Sequence, residues 1–490
     1  MNKINIKENL VKYVSLAVFA LITLTILIFR PPFTDEANAW MVAKSYNLHD
    51  VLFYAAKNEG HLFIWYLIQM PFAKHDFLYP YSMYFLNWLF CFAALIVLWN
   101  KSPFSTLEKT LITFSWPFLH YWAIMARCYS VGIFLLFLIL SLWKDKSKHP
   151  ILMPLLIILL ANTSAMALFC AFALGLIYIC RLITDKNMHN HTHKHFISAA
   201  IIFLTGAVLI LVQTAGAKSI NENYGDFIKY LIDFFFNFKT NSVTFIWILN
   251  KISAQVALGC IILSLFVFKN NKSSLFYFSL TSLFMVYLFI FIYGGAFWHY
   301  IFFYLNFIAA LWMFRIKDCE LKRSVKILNI LFVVLLSLMC IKSLTVRFDH
   351  GFDDIFNSNV KRVVKILNEK NLIREDCKYY VIDRWSETQT GILPYFPNVK
   401  FYDAFGNARY GYNHYDHFLF NYKKEFNADI MADSFDENKI NVLLSDTPKP
   451  PYTVLRGEKW YILLYPLYVV ENQKFLAVYA MKKIPAPKEE

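Results

Sequence analysis

Ile4 to Phe29 reads INIKENLVKYVSLAVFALITLTILIF and runs directly into Arg30-Pro31-Pro32-Phe33-Thr34-Asp35-Glu36-Ala37. The first stretch is mostly apolar, and Lys3, Lys7 and Lys12 crowd its leading end. A helix needs about 20 predominantly apolar residues to cross the hydrocarbon core, and this one has them. No small-x-small cleavage site follows the apolar run, so it reads as a retained anchor and not as a signal peptide. It delivers two adjacent carboxylates to the far interface, just past a Pro-Pro exit.

Such apolar stretches recur along the chain. Of its 490 residues, 58% are hydrophobic, 19% aromatic and only 17% charged, and the mean hydropathy is +0.43. A soluble domain is rarely so apolar, so the chain is expected to be an α-helical polytopic membrane protein. About eleven spans can be drawn, near 12–30, 78–99, 108–125, 127–143, 150–163, 164–181, 196–214, 243–268, 274–293, 297–314 and 324–344. The fifth and sixth form one apolar stretch broken at Asn162-Thr163-Ser164, which reads as a tight hairpin.

The formal net charge of +14 does not point to nucleic acid. The basic residues sit in short clusters after the even-numbered spans (Lys101 and Lys109; Lys144, Lys146 and Lys148; Arg181, Lys186 and Lys194; Lys269 and Lys272; Arg315, Lys317, Lys322 and Arg323). With the basic N-terminus they fall on one side, which the positive-inside rule makes cytoplasmic. The outer side then receives loop 31–77, the Arg127 turn, loop 215–242, the Gly294-Gly295 turn and everything after 345. The eight Cys are scattered, with no metal or disulfide spacing. The run HNHTHKH at 189–195 reads as a solvated polar loop.

Within loop 31–77, Ala37 to Tyr46 and Asp50 to Lys57 have helical propensity. His61 to Phe72 is too short to span and is expected to lie on the membrane, with Trp65 and Tyr66 at headgroup depth. Beyond 344 the composition turns polar. Ile355 to Lys370 has helical spacing, and strands are expected at Tyr379–Asp383, Val399–Phe405, Val442–Ser445, Tyr461–Val470 and Phe475–Met481. The expected domains are therefore a membrane domain, 1–344, and an extracytoplasmic soluble α/β domain, 345–490.

Four groups of residues could carry chemistry. Asp35 and Glu36 are either caps of the helix that follows or a general base taking a proton from an acceptor. Glu59-Gly60-His61 makes a tight turn at the interface, where His61 either contacts a phosphate or anchors the chain. Arg127, in Ala126-Arg127-Cys128-Tyr129-Ser130, sits between two spans on the side where cations are disfavoured. Its planar fork suits a phosphate, against the alternative of a snorkelling side chain. Trp298 and His299 follow Gly294-Gly295 and are read as an aromatic belt residue and a site residue, with Trp298 as a sugar-stacking shelf the alternative. There is no phosphate-binding glycine loop, no HExxH and no mid-helix run of ionisable residues, so chemistry is expected at the outer interface without cytoplasmic nucleotide.

Thr34-Asp35-Glu36-Ala37 after a first helix, Glu59-Gly60-His61 in the same loop and Arg127-Cys128-Tyr129 at the head of a later helix together resemble the GT-C superfamily of polytopic glycosyltransferases. The likeness is to its protein-mannosyltransferase and aminoarabinose-transferase-like branch. That branch often places Pro after the second motif, where this chain has Leu62. The resemblance implies an inverting transferase that takes a sugar from a polyprenyl-phosphate donor and passes it to a lipid, glycan or protein acceptor on the outer face of a bacterial inner membrane. It implies Asp35, with Glu36, as catalytic, and Glu59, His61, Arg127, Tyr129, Trp298 and His299 as substrate-binding. No cofactor and no metal are expected. The alternatives are a lipid-linked glycan flippase or transporter, a polysaccharide ligase or polymerase, and a non-enzymatic scaffold.

Overall fold

The computed structural model describes residues 3–30, 32–53, 61–184, 192–214, 268–269, 271–292, 297–316, 330, 332–341, 360–381, 392–402, 408–409, 428–445, 453–469 and 477–487. The expected span 243–268 and the outer loop 215–242 lie almost wholly outside these residues, as do Glu59, Gly60, Gly294 and Gly295. The chain is an α-helical polytopic membrane protein with a C-terminal mixed sheet. By compactness it forms one unit from 1–28, 48–68 and 84–350, and a second from 29–47, 69–83 and 351–490.

In the first unit, α1 (Lys3–Phe29), α5 (Tyr81–Lys101), α9 (Ala165–Thr184), α10 (Thr192–Thr214) and α11 (Lys272–Tyr287, continuing as a π-turn to Ile292) are the five described helices with a long enough apolar stretch to cross a membrane. The short α3 (Leu48–Phe53) and α4 (Ile64–Ala73) follow α2 (Thr34–Ser45) in the chain. The third expected span is not one helix. It breaks into α6 (Thr106–Thr113) and a π-turn, Pro117–Trp122, because Pro117 has no N–H to continue the ladder. Asn87 of α5 donates to the carbonyls of Trp122 and Ala123, at 3.0 and 3.2 Å, and so satisfies backbone that the break leaves open. α7 (Tyr129–Leu142) follows, and α8 (Leu152–Ala161) has only 10 residues, too few to cross alone. α8 and α9 do form the hairpin expected at Asn162-Thr163-Ser164. The His-rich run is not all loop, since α10 begins at Thr192.

α12 (Phe297–Arg315) runs through the middle of the bundle, and every residue from His299 to Phe314 is buried. Asn306 on α12 accepts from the Cys170 thiol of α9 at 3.0 Å and from the Tyr277 hydroxyl of α11 at 3.3 Å. At its C-terminal end Arg315 grips Glu108 of α6 through two bonds of 2.7 and 2.8 Å. Interhelical polar contacts of this kind set register where lipid removes the hydrophobic drive for helices to associate. A last apolar helix, α13, spans Phe332–Ile341.

The sheet of the second unit has seven strands: β1 (Cys377–Val381), β2 (Phe401–Tyr402), β3 (Ala408–Arg409), β4 (Ile440–Ser445), β5 (Val454–Arg456), β6 (Trp460–Val469) and β7 (Ala477–Pro485). Their order is β3-β2-β1-β4-β7-β6-β5, with β1 parallel to both neighbours and the other pairs antiparallel. Alternation along β1 sends Tyr379 to one face, with Leu367 of α14 (Val360–Glu369), and Tyr380 to the other, with Met431 of α15 (Ala428–Asp433). The expected helix and the five expected strands lie close to α14, β1, β2, β4, β6 and β7, whereas β3, β5 and α15 were not anticipated.

Candidate active site

Two groups of side chains matter, one in each unit, and each is described by itself. In the second unit, α2 starts at Thr34 and carries Asp35 and Glu36 in its first turn. From Glu36 to Ala43 every residue is buried. The Glu36 carboxylate forms an ion pair with Arg30, the side chains being 0% and 2% exposed. Its other oxygen accepts from the Phe33 backbone N–H at 2.7 Å, half of a capping box. Glu36 therefore does what the capping alternative expected of it. Asp35 is partly exposed. At the other end of α2, Lys74 donates to the carbonyls of Lys44 and Tyr46 at 2.7 and 2.6 Å, and Lys44 bonds both oxygens of Asp76 at 2.7 Å. The Trp40 ring packs on Tyr79, and Tyr79 meets Tyr395 edge to face, with centroids 5.2 Å apart in both contacts.

In the first unit, His61, Arg127, Tyr129 and His299 come together. The broken helix delivers Arg127, which turns back so that its N–H bonds the Met125 carbonyl at 2.8 Å. The Arg127 guanidinium donates to His61 Nε2. An arginine can only donate, so Nε2 must carry the lone pair, and the proton of the neutral ring sits on Nδ1. Nδ1 lies 3.0 Å from Cys128 Sγ. Burial, then Arg127, then His299 lower the His61 pKa well below its ordinary value, which agrees with a neutral ring. The Tyr129 ring meets His61 edge on at 5.6 Å, and its hydroxyl lies 3.2 Å from His299 Nε2. The group thus holds one permanent cation among aromatic walls.

His61 is held through its backbone. It pairs with Ser164 as an isolated antiparallel bridge, and Leu62 N–H and Ile64 N–H donate to the carbonyls of Thr163 and Asn162 at 3.3 and 3.4 Å. Gln213 of α10 donates to the Asn162 side chain at 3.1 Å and steadies that turn. Trp65 and Tyr66, expected on the membrane surface, are enclosed by protein, 2% and 1% exposed. The Trp298 side chain lies outside the described residues, so its stacking role belongs to the sequence alone. Sequence reading gave no role to Arg30, Cys128, Gln213 or Tyr395. For Cys128 the one available signal was its place inside the Arg-x-Tyr pattern. Among the described residues no group of three or more His, Cys, Asp or Glu gathers as a metal site.

No family model and no curated protein matches the sequence. The fold resembles the crystal structure of ArnT from Cupriavidus metallidurans in the apo state, over 96% of this chain and 97% of that one, with a TM-score of 0.52 and 9% identity. At that identity the likeness is one of fold alone.

Proposed function

We propose that the chain is an inverting glycosyltransferase that moves a sugar from a polyprenyl-phosphate carrier to a lipid, glycan or protein acceptor at the extracytoplasmic face of a bacterial inner membrane. The observation that carries this reading is the Arg127 guanidinium, aimed by His61 and walled by Tyr129 beside His299, in a chain of GT-C-like fold. The GT-C-like architecture supports a membrane transferase, and the basic loops support the assigned face.

In the proposed step, an acceptor hydroxyl or amine attacks the anomeric carbon as Asp35 takes its proton. The bond between that carbon and the phosphate oxygen breaks, and polyprenyl phosphate leaves with the bonding pair. Arg127 meets the charge that develops on the phosphate with a planar fork suited to it. His61 acts by orienting that fork, because its Nε2 already accepts from Arg127. Glu36, paired with Arg30, holds the turn that presents Asp35. Tyr129, His299, Glu59 and Trp298 are assigned to the sugar and the carrier. The donor is already activated, so neither nucleotide nor metal enters the scheme.

The test uses purified protein in vesicles with a panel of radiolabelled polyprenyl-phosphate sugars and membrane extract as acceptor source. Release of free polyprenyl phosphate from one donor is expected, falling by about 10²-fold or more in Asp35→Asn. Release that persists in a folded Asp35→Asn protein removes Asp35 from its role. Carrier movement across the vesicle without covalent transfer selects the flippase reading.

A further inference from the structure

The C-terminal domain takes no part in the step above, yet one of its side chains belongs to the packing around the acid-bearing helix. Tyr395 ends a short 3-10 turn, Leu393–Tyr395. Ile392, Leu393 and Phe396 on either side of it are buried in the core under the sheet, so the turn has a rigid mount. The Tyr395 ring meets Tyr79 at 5.2 Å with the planes 78° apart, and Tyr79 packs on Trp40 at 5.2 Å and 50°. Trp40 is wholly buried on α2, little more than one helical turn beyond Asp35. Burial and Tyr81 raise the Tyr395 hydroxyl pKa while Arg30 opposes the rise, so the charge that pairs with Glu36 is also felt at Tyr395.

A helix of 12 residues is marginal by itself and takes its position from packing. The ends of α2 are set by Arg30–Glu36 and by the Lys44, Lys74 and Asp76 clasp. Between them Trp40 starts a chain of ring contacts that ends in the C-terminal domain. Packed interiors deform little, so a ring chain transmits position.

We infer that the C-terminal domain positions the base: Tyr395, through Tyr79 and Trp40, fixes α2 so that Asp35 is presented in one orientation. This rests on the reading of Asp35 as the base and gives the domain a role in the rate of transfer. Tyr395 is a positioning residue and touches no reacting atom.

Full-length protein in detergent is compared as wild type, Tyr395→Ala, Tyr395→Phe and Tyr79→Leu. Amide hydrogen exchange across Thr34–Ser45 is expected to quicken about tenfold in Tyr395→Ala and in Tyr79→Leu, the scale of one lost ring contact, and to stay at the wild-type rate in Tyr395→Phe, which keeps the ring. Exchange in β4 and β6 stays unchanged. With the active donor, kcat falls about tenfold in Tyr395→Ala while KM stays within about twofold, and Tyr395→Phe restores it. Tyr79→Leu lies outside the domain, so it decides the matter if Tyr395→Ala loosens the sheet itself. Unchanged α2 exchange in both Tyr395→Ala and Tyr79→Leu overturns the inference, and so does a freed α2 with unchanged kcat. If wild type transfers nothing, the function reading fails, and the exchange result still decides whether the domain holds α2.

Discussion

Glu36→Gln tests the division of labour between the two adjacent acids. Glu36 and Arg30 are 0% and 2% exposed, so their pairing differs from a surface ion pair, which contributes at most about 1 kcal/mol. Removing one partner of a buried pair costs about 3–5 kcal/mol, because the remaining charge stays in a poor solvent. Glutamine keeps an oxygen for the Phe33 N–H, which places the expected cost near about 3 kcal/mol. If that energy falls on the local opening of α2, amide exchange across Thr34–Ser45 should quicken about a hundredfold. The assay is exchange read by mass spectrometry in the full chain, with Asp35→Asn beside it. Asp35→Asn should exchange within a few-fold of wild type, since a partly exposed first-turn carboxylate contributes about 0.3–1 kcal/mol through the helix dipole. Replacing both partners, Arg30→Met with Glu36→Leu, should recover more than half of the loss, as buried pairs exchanged for apolar groups commonly do. Exchange in Glu36→Gln within about threefold of wild type would refute the reasoning, as would a double variant no better than the single one.

Further perturbations probe the other group and the bundle. Arg127→Lys should weaken binding of a polyprenyl-phosphate analogue by about tenfold or more, since a point charge cannot reproduce a bidentate fork; equal affinity by calorimetry would remove Arg127 from the phosphate. His61 is held neutral with its pKa below the ordinary 6.5, so its contribution to stability is complete above pH 6.5 and is lost as pH falls towards the folded-state value. The slope is up to about 1.4 kcal/mol per pH unit. Thermal scans from pH 8 to 5 should show that slope in wild type and a flatter one in His61→Gln, and identical slopes would contradict the neutral ring. Glu108→Gln should lower the unfolding temperature by several degrees by breaking the two-bond grip of Arg315. An unchanged melt would show that the α6–α12 contact is dispensable.

The long apolar spans were legible because hydropathy alone identifies them, and five of the described helices meet that requirement. The break at Pro117 was written in the sequence as well, but an average over 108–125 hides a single missing N–H. α8 was read as part of a span over 150–163 because the run from Ile151 to Ala161 is apolar throughout apart from Pro154, although only 10 residues wind as helix. Trp65 and Tyr66 show a deeper ambiguity. An aromatic beside a membrane helix suits a lipid-facing position and the interior of a helical protein equally, and only tertiary packing separates the two.

The candidate site was legible as residue types but not as contacts. Arg127 stands out because it sits where a cation is disfavoured, Asp35 because it follows the first membrane helix, and His299 because it opens a span after a glycine turn. Their partners left no local trace. Arg30 and Glu36 are six residues apart, off the helical period, and yet they pair. His61 and Arg127 are 66 positions apart, and Tyr129 and His299 are 170. Periodicity reports only neighbours within a few residues, so it cannot distinguish an arginine that snorkels from one that a histidine aims. That distinction rests on the proton inventory of the pair. Arg127 has no lone pair to offer, so its bond to Nε2 fixes the His61 tautomer, and the neutral ring leaves the guanidinium as the permanent cation of the group. A site arranged in this way is suited to an anion whose charge grows during the reaction, which is the property a phosphate leaving group requires.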